Sequence, residues 1–117
     1  MLRSMLKSKL HGATLTRTEL HYAGSITLPP ELMAAADLLA GEEVEVVNLS
    51  NGARIRTYVI AGAAGSTEVC LNGPAARTAY VGDMIHVLGY GLCDAAEAEK
   101  LQAAVVHVDE HNRVVGD

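Results

Sequence analysis

Five consecutive residues, His21-Tyr22-Ala23-Gly24-Ser25, set an imidazole, a phenol and a serine hydroxyl around one glycine. A serine hydroxyl that follows a glycine can attack the glycine carbonyl if the backbone is held in strain, because no side chain blocks the approach. The product is an ester in place of the amide. Elimination across the serine side chain then frees the upstream chain, and hydrolysis of the resulting dehydroalanine leaves a pyruvoyl group. The same Gly-Ser step between strand-forming residues also reads as an ordinary turn. From the pentapeptide alone both readings stand.

Three further groupings could carry chemistry. In "ARIRTYVIA" a period of two puts Arg54, Arg56 and Tyr58 on one face and Thr57 on the other. Arginines on a strand are ordinarily solvated, yet an Arg and a Tyr on one face could hold a carboxylate and offer a proton. At Asn72-Gly73 the glycine lets another group approach the backbone, and the asparagine amide both donates and accepts. His107 and His111 have HxxxH spacing, but strand alternation does not converge them and no third ligand is near in sequence. No metal is assigned.

The elements that must position these groups follow from composition and pattern. The chain has 117 residues, half of them hydrophobic, a length suited to a single domain over residues 1–117 with one core. Phe and Trp are absent, so the aromatics reduce to Tyr22, Tyr58, Tyr80 and Tyr90. A net charge of −5 argues against a nucleic-acid partner. The opening "MLRSMLKSKLHG" lacks the apolar run of a secretory signal, and nothing approaches a membrane span. Cys70 and Cys93 lack CxxC spacing and read as buried, reduced thiols, so a cytoplasmic location is expected.

"KSKLHGATLT" alternates like a strand, although Leu2, Leu6 and Leu10 also fit a helical stripe. "ELHYAGSIT" is strand-like on both sides of Gly24-Ser25. "PPELMAAADLLAGEE" is punctuated as a helix with Pro30 in its first turn, an apolar face of Leu32, Ala35, Ala36 and Leu39, and Gly41 at its end. "EVEVVNLSNGARIRTYVIAG" is a hairpin through Asn51-Gly52. "STEVCLNGPAART" is a strand running into a second Asn-Gly turn, and "VGDMIHVLGYG" is a further strand. "DAAEAEKLQ" is a short helix capped by Asp94. "AAVVHVDEHNRVV" closes as a hairpin-like pair. Many short strands with small helices predict a mainly β fold, a compact β-barrel.

The combination of "MLRSMLKSKLHGATLTRTELHYAGSITL", "NGARIRTYVIAG", "LNGPAA" and "VGDMIHVL" is similar to the pyruvoyl-dependent aspartate 1-decarboxylase family from Met1 to about Leu88, with a looser likeness in the tail. The resemblance implies a double-psi β-barrel with short helices, assembled as a homotetramer with active sites between subunits. It implies autocatalytic cleavage between Gly24 and Ser25, giving a β chain of residues 1–24 and an α chain of residues 25–117. Ser25 would become the covalent pyruvoyl cofactor, forming a Schiff base with L-aspartate, with no metal and no pyridoxal phosphate. Carried over by position, Thr57 assists cleavage at the oxyanion and contacts substrate, and Tyr58 donates the proton. Lys9 and Arg54 hold the carboxylates, and Asn72, Gly73, Pro74 and Ala75 form the substrate-side turn. The implied product is β-alanine for pantothenate and coenzyme A synthesis.

Two positions depart from the family pattern: Pro74 stands where Ala is common, and Gly12 where Arg is usual. Proline removes a backbone N–H at the turn. The competing readings are a small β-barrel binding or regulatory module, such as a swapped-hairpin regulator, and a pyruvoyl decarboxylase of another amino acid. Two cations near the site favour a dicarboxylic substrate.

Overall fold

β1 (Arg3–Thr14) shows how the sheet is built, because its alternation decides what each residue faces. Ser8 and Leu10 are fully buried, whereas Lys7, Lys9 and His11 lie on the outer face. Leu6 and Leu10 of the Leu2–Leu6–Leu10 stripe therefore belong to a strand, not a helix. These relations come from a computed structural model, which describes residues 1–115. The other strands are β2 (Arg17–Glu19), β3 (Ser25–Leu28), β4 (Glu43–Asn48), β5 (Arg54–Ala61), β6 (Cys70–Asn72), β7 (Met84–Cys93) and β8 (Ala104–His107). Among the described residues they form one eight-stranded sheet in the order β2-β6-β3-β5-β4-β7-β1-β8.

The β4–β5 hairpin forms as its Asn51-Gly52 pair predicts, with Gly52 at φ +75°. β7 pairs antiparallel with both β1 and β4. β3 pairs parallel with β5 and antiparallel with β6. Leu10, Ile26, Leu28, Leu71, Val44, Val59, Ile85 and Val87 point from these strands into one core with little or no exposure. Each such side chain contributes roughly 1.5–3 kcal/mol by leaving water.

The helices differ in how well their ends are marked. α2 (Ala95–Lys100) begins as expected at Asp94, with a full capping box to Glu97. α1 (Pro30–Ala35) stops one turn before the expected end. Asp37 takes a left-handed φ of +56°, Leu38 turns into the core, and Ala35 and Leu39 of the predicted face are exposed. Lys7 explains the early stop. Its ammonium donates to the Asp37 carbonyl and to Ser8 Oγ at 2.9 Å, and sits 2.9 Å from Glu42. A buried hydroxyl and a half-buried ion pair thus hold the chain reversal against β1. Gly41, at φ +86°, serves the turn into β4.

Two further expectations are corrected. Residues 20–24 are a turn, so strand structure flanks Gly24-Ser25 only through β3 on the downstream side. The strand expected before Asn72-Gly73 forms as β6, and the turn after it continues as a 3-10 helix, Gly73–Thr78. The closing hairpin reduces to a single bridge, Val108 with Val114, because β8 is taken up as a parallel partner of β1.

Candidate active site

The register of β3 against β6 brings the first candidate groups together. Ser25 stands opposite Asn72, and both side chains point to the same, buried side. Asn72 Nδ2 donates to Ser25 Oγ at 2.9 Å, and Ser25 Oγ donates to the Ala23 carbonyl at 3.2 Å. The serine oxygen is thus held between a donor and an acceptor, with no exposure to solvent.

Gly73 follows directly, at φ +64°. A Cβ on it would lie 2.7 Å from the Tyr22 carbonyl oxygen and 2.8 Å from both N and Cα of Gly24. The bare backbone of Gly73 is therefore pressed against the residue whose carbonyl the serine would attack. The strain expected at the Gly-Ser step is placed differently: Gly24 itself has no positive φ, and the left-handed glycine is its neighbour across the turn.

A cleft of about 440 Å³ opens beside this step, lined by Gly24, Ile55, Thr57, Tyr58, Pro74 and Ala75 among others. Thr57 and Tyr58 reach it from adjacent positions of β5 with opposite orientation. Thr57 pairs with Val44 on the core side, while Tyr58 pairs with Glu43 and is 39% exposed. Pro74 lies in the first turn of the 3-10 helix, where a missing N–H is harmless, and its ring faces Gly24.

Lys9 and Arg54 are not in this cleft. Arg54 lies on the outer face opposite Val47, with its guanidinium 2.8 Å from Glu45. Lys9 lies on the same outer face of the sheet, opposite Leu88. Gly12 occupies a register shift between Leu10 and Ala13 at φ +83°, a conformation glycine adopts without strain.

Beside Lys9, His11 stacks on His86 with ring centroids 4.0 Å apart and meets His107 at 4.7 Å. His107 thus meets His11, far from it in sequence, while His111 lies beside Glu110. Burial foremost, then the positive charge of Lys9 and the neighbouring imidazoles, lowers the pKa values of His11 and His86. Among the described residues no group of three His, Cys, Asp or Glu side chains is arranged to hold a metal ion.

Sequence reasoning missed two contacts of Asn72. Its Nδ2 also donates to Thr27 Oγ1 at 3.0 Å, and its Oδ1 lies 3.2 Å from Cys70 Sγ. Thr27 and Cys70 are two residues from Ser25 and Asn72, so period two carried the signal once the strands were paired. Both cysteines are free and buried.

Comparisons with known proteins bear on this arrangement. A family model described as aspartate decarboxylase matches residues 1–115. The chain is 52% identical over 115 residues to the aspartate 1-decarboxylase of Pelotomaculum thermopropionicum, covering 98% of this chain and 87% of that protein. In structure it is similar to the rationally designed mkDPBB_sym_86 protein, a double-psi β-barrel design, with a TM-score of 0.50 and 17% identity. That likeness covers 66% of this chain and 90% of the design, and it concerns the fold alone.

Proposed function

The chain belongs to the aspartate decarboxylase family, and from that premise we propose that its activity is set up by self-cleavage of the Gly24–Ser25 bond. Its reaction is the decarboxylation of L-aspartate to β-alanine, the family's contribution to pantothenate synthesis. The family match decides against a regulatory module, and the identity to an aspartate 1-decarboxylase favours aspartate over other amino acids. No helix of the described residues is long and apolar enough to cross a membrane.

One observation carries the cleavage reading: a buried serine oxygen, next to a glycine carbonyl, with an amide N–H aimed at it from 2.9 Å. In the first step Ser25 Oγ attacks the Gly24 carbonyl carbon, the C–N bond breaks, and the serine nitrogen takes the proton. Thr57, lining the same cleft as Gly24, offers its hydroxyl to the oxyanion. In the second step the Ser25 Cα–H proton leaves and the Cβ–Oγ bond breaks. Both electrons go to Oγ, which departs as a carboxylate oxygen of Gly24. The Asn72 N–H stabilises negative charge on that oxygen as it develops. Water then replaces the freed amine, as ammonia, at residue 25.

The residues fit the group this creates, because a cleft of about 440 Å³ opens beside Gly24 and Gly73 lets the backbone close on that step with no Cβ in the way. A pyruvoyl group at residue 25 supplies an electron sink for carbanion chemistry. Tyr58, at the mouth of the cleft, returns a proton to the substrate α-carbon. Lys9 and Arg54 hold the substrate carboxylates, the arginine by its two-pronged fork. Both lie on the outer face of the sheet, and neither lines the Gly24 cleft. In this reading they serve a neighbouring subunit's site, as in the homotetramer with shared active sites that the family resemblance implies; their absence from the lining of the Gly24 cleft supports it.

Intact mass of the purified protein tests the reading. Matured protein is expected as two chains, residues 1–24 and 25–117, the larger without a free amine. Ser25→Ala should stay uncut and release no carbon dioxide from aspartate. A fully active, uncut chain retaining Ser25 would refute it.

A further inference from the structure

A primary amide is symmetric in shape but not in chemistry, so something must decide which end of Asn72 faces Ser25. The two hydroxyls around it do not decide. Ser25 and Thr27 can each donate or accept, and would accommodate the amide either way round. The third neighbour is different. A thiol donates through S–H but is a weak acceptor, so Cys70 favours the carbonyl oxygen and disfavours the NH₂. In the structure Cys70 Sγ lies 3.2 Å from Asn72 Oδ1; its other acceptor within reach, the Leu71 carbonyl, is at 3.8 Å. The NH₂ is thereby turned to Ser25 Oγ at 2.9 Å and Thr27 Oγ1 at 3.0 Å.

The four side chains form a closed set on one face of β3 and β6, because Ser25 pairs with Asn72 and Thr27 with Cys70 across the ladder. All but Thr27 are buried, so water cannot substitute for a lost partner. Burial also raises the Cys70 pKa, which keeps the thiol protonated and donating.

We propose that Cys70 and Thr27 are positioning residues for self-cleavage: the Cys70 thiol selects the amide orientation in which the Asn72 N–H, not its carbonyl, faces the serine oxygen that must leave as carboxylate, and Thr27 holds that end by accepting its second hydrogen. The inference rests on the cleavage reading above and deepens it. A flipped amide would present Oδ1 to Ser25. It would accept the hydroxyl proton, but it would repel the negative charge that builds on Oγ during elimination. The acyl shift would still occur, and the elimination would be slowed.

The test follows cleavage by intact mass in wild type, Cys70→Val, Thr27→Val and Cys70→Ser, with and without hydroxylamine. Hydroxylamine attacks the ester carbonyl, leaves a hydroxamate on Gly24, and releases a residue 25–117 chain that begins with unmodified serine. The ratio of serine-ended to pyruvoyl-ended chain thus reads the partition between shift and elimination. Both valine variants should form pyruvoyl-ended chain about three- to tenfold more slowly, the scale of one lost neutral hydrogen bond, and should raise the serine-ended share. Cys70→Ser, whose hydroxyl still donates but also accepts, should fall between wild type and Cys70→Val in rate and ratio even if its melting temperature falls.

A purely packing role predicts the reverse order, with valine tolerated and serine harmful. Should Cys70→Val fail to fold, Thr27→Val, which conserves shape, and Cys70→Ser still carry the comparison. Folded valine variants that cut at the wild-type rate and ratio would overturn the inference alone. A wild type that is never cut would remove the cleavage reading as well.

Discussion

Replacing Gly73 by alanine separates the close approach at the scissile bond from the general cost of a left-handed residue. An alanine at φ +64° costs about 1–2 kcal/mol in backbone strain, of which roughly 0.4–1 kcal/mol is offset by reduced freedom in the unfolded chain. The new Cβ would also sit 2.7 Å from the Tyr22 carbonyl and 2.8 Å from two backbone atoms of Gly24. These are backbone atoms, which cannot swing aside as a side chain can, and overpacking of this kind costs about 1–3 kcal/mol. Gly52→Ala is the control, since Gly52 has φ +75° with nothing within 4 Å of its Cβ position.

In a Ser25→Ala background, where every chain stays uncut, Gly73→Ala should lose about 2–4 kcal/mol and Gly52→Ala about 1 kcal/mol or less. At about 4 °C per kcal/mol for a domain of this length, the melting temperatures should differ by about 4–12 °C. With Ser25 restored, Gly73→Ala should also cut at least about tenfold more slowly, because the displaced atoms belong to the residue under attack. Differential scanning calorimetry and intact mass read the two effects. Equal melting and equal cutting in the two alanine variants would refute the close-approach argument.

Asn112 is buried at φ +59° and ties the tail to the barrel, accepting from Thr14 N–H and donating to the Thr14 and Thr67 carbonyls at 2.7–3.0 Å. Asn112→Ala should cost about 2–4 kcal/mol, read by urea unfolding, whereas Asp94→Ala, removing an exposed capping box, should cost only about 1 kcal/mol in the same assay. His11 and His86 have folded pKa values below the ordinary 6.5. The unfolded chain therefore binds protons first, so stability should be complete above about pH 6.5 and fall as the pH drops below it. His86→Gln should flatten that slope in melting curves between about pH 7 and 5; an unchanged slope would exclude the histidine stack as its source.

Much of this molecule was legible from local pattern. Alternation marked β1 and β5, and an apolar run marked β7. Asn51-Gly52 marked a hairpin, Asp94 a helix start, and the split of Arg54 and Tyr58 from Thr57 followed from a two-residue period. These features depend on residues a few positions apart, whose sterics and hydrogen bonds act within the segment itself.

The site depended on more. That β6 lies between β2 and β3, so that Asn72 faces Ser25 and Cys70 pairs with Thr27, joins residues 43–47 positions apart. That Lys9 and Arg54 share an outer face, and that α1 yields to Lys7 at Asp37, likewise join distant segments. Periodicity tells a strand which of its faces is apolar. Which strand lies beside it is settled only when all the apolar faces are buried in one core at once, and that competition has no local signature.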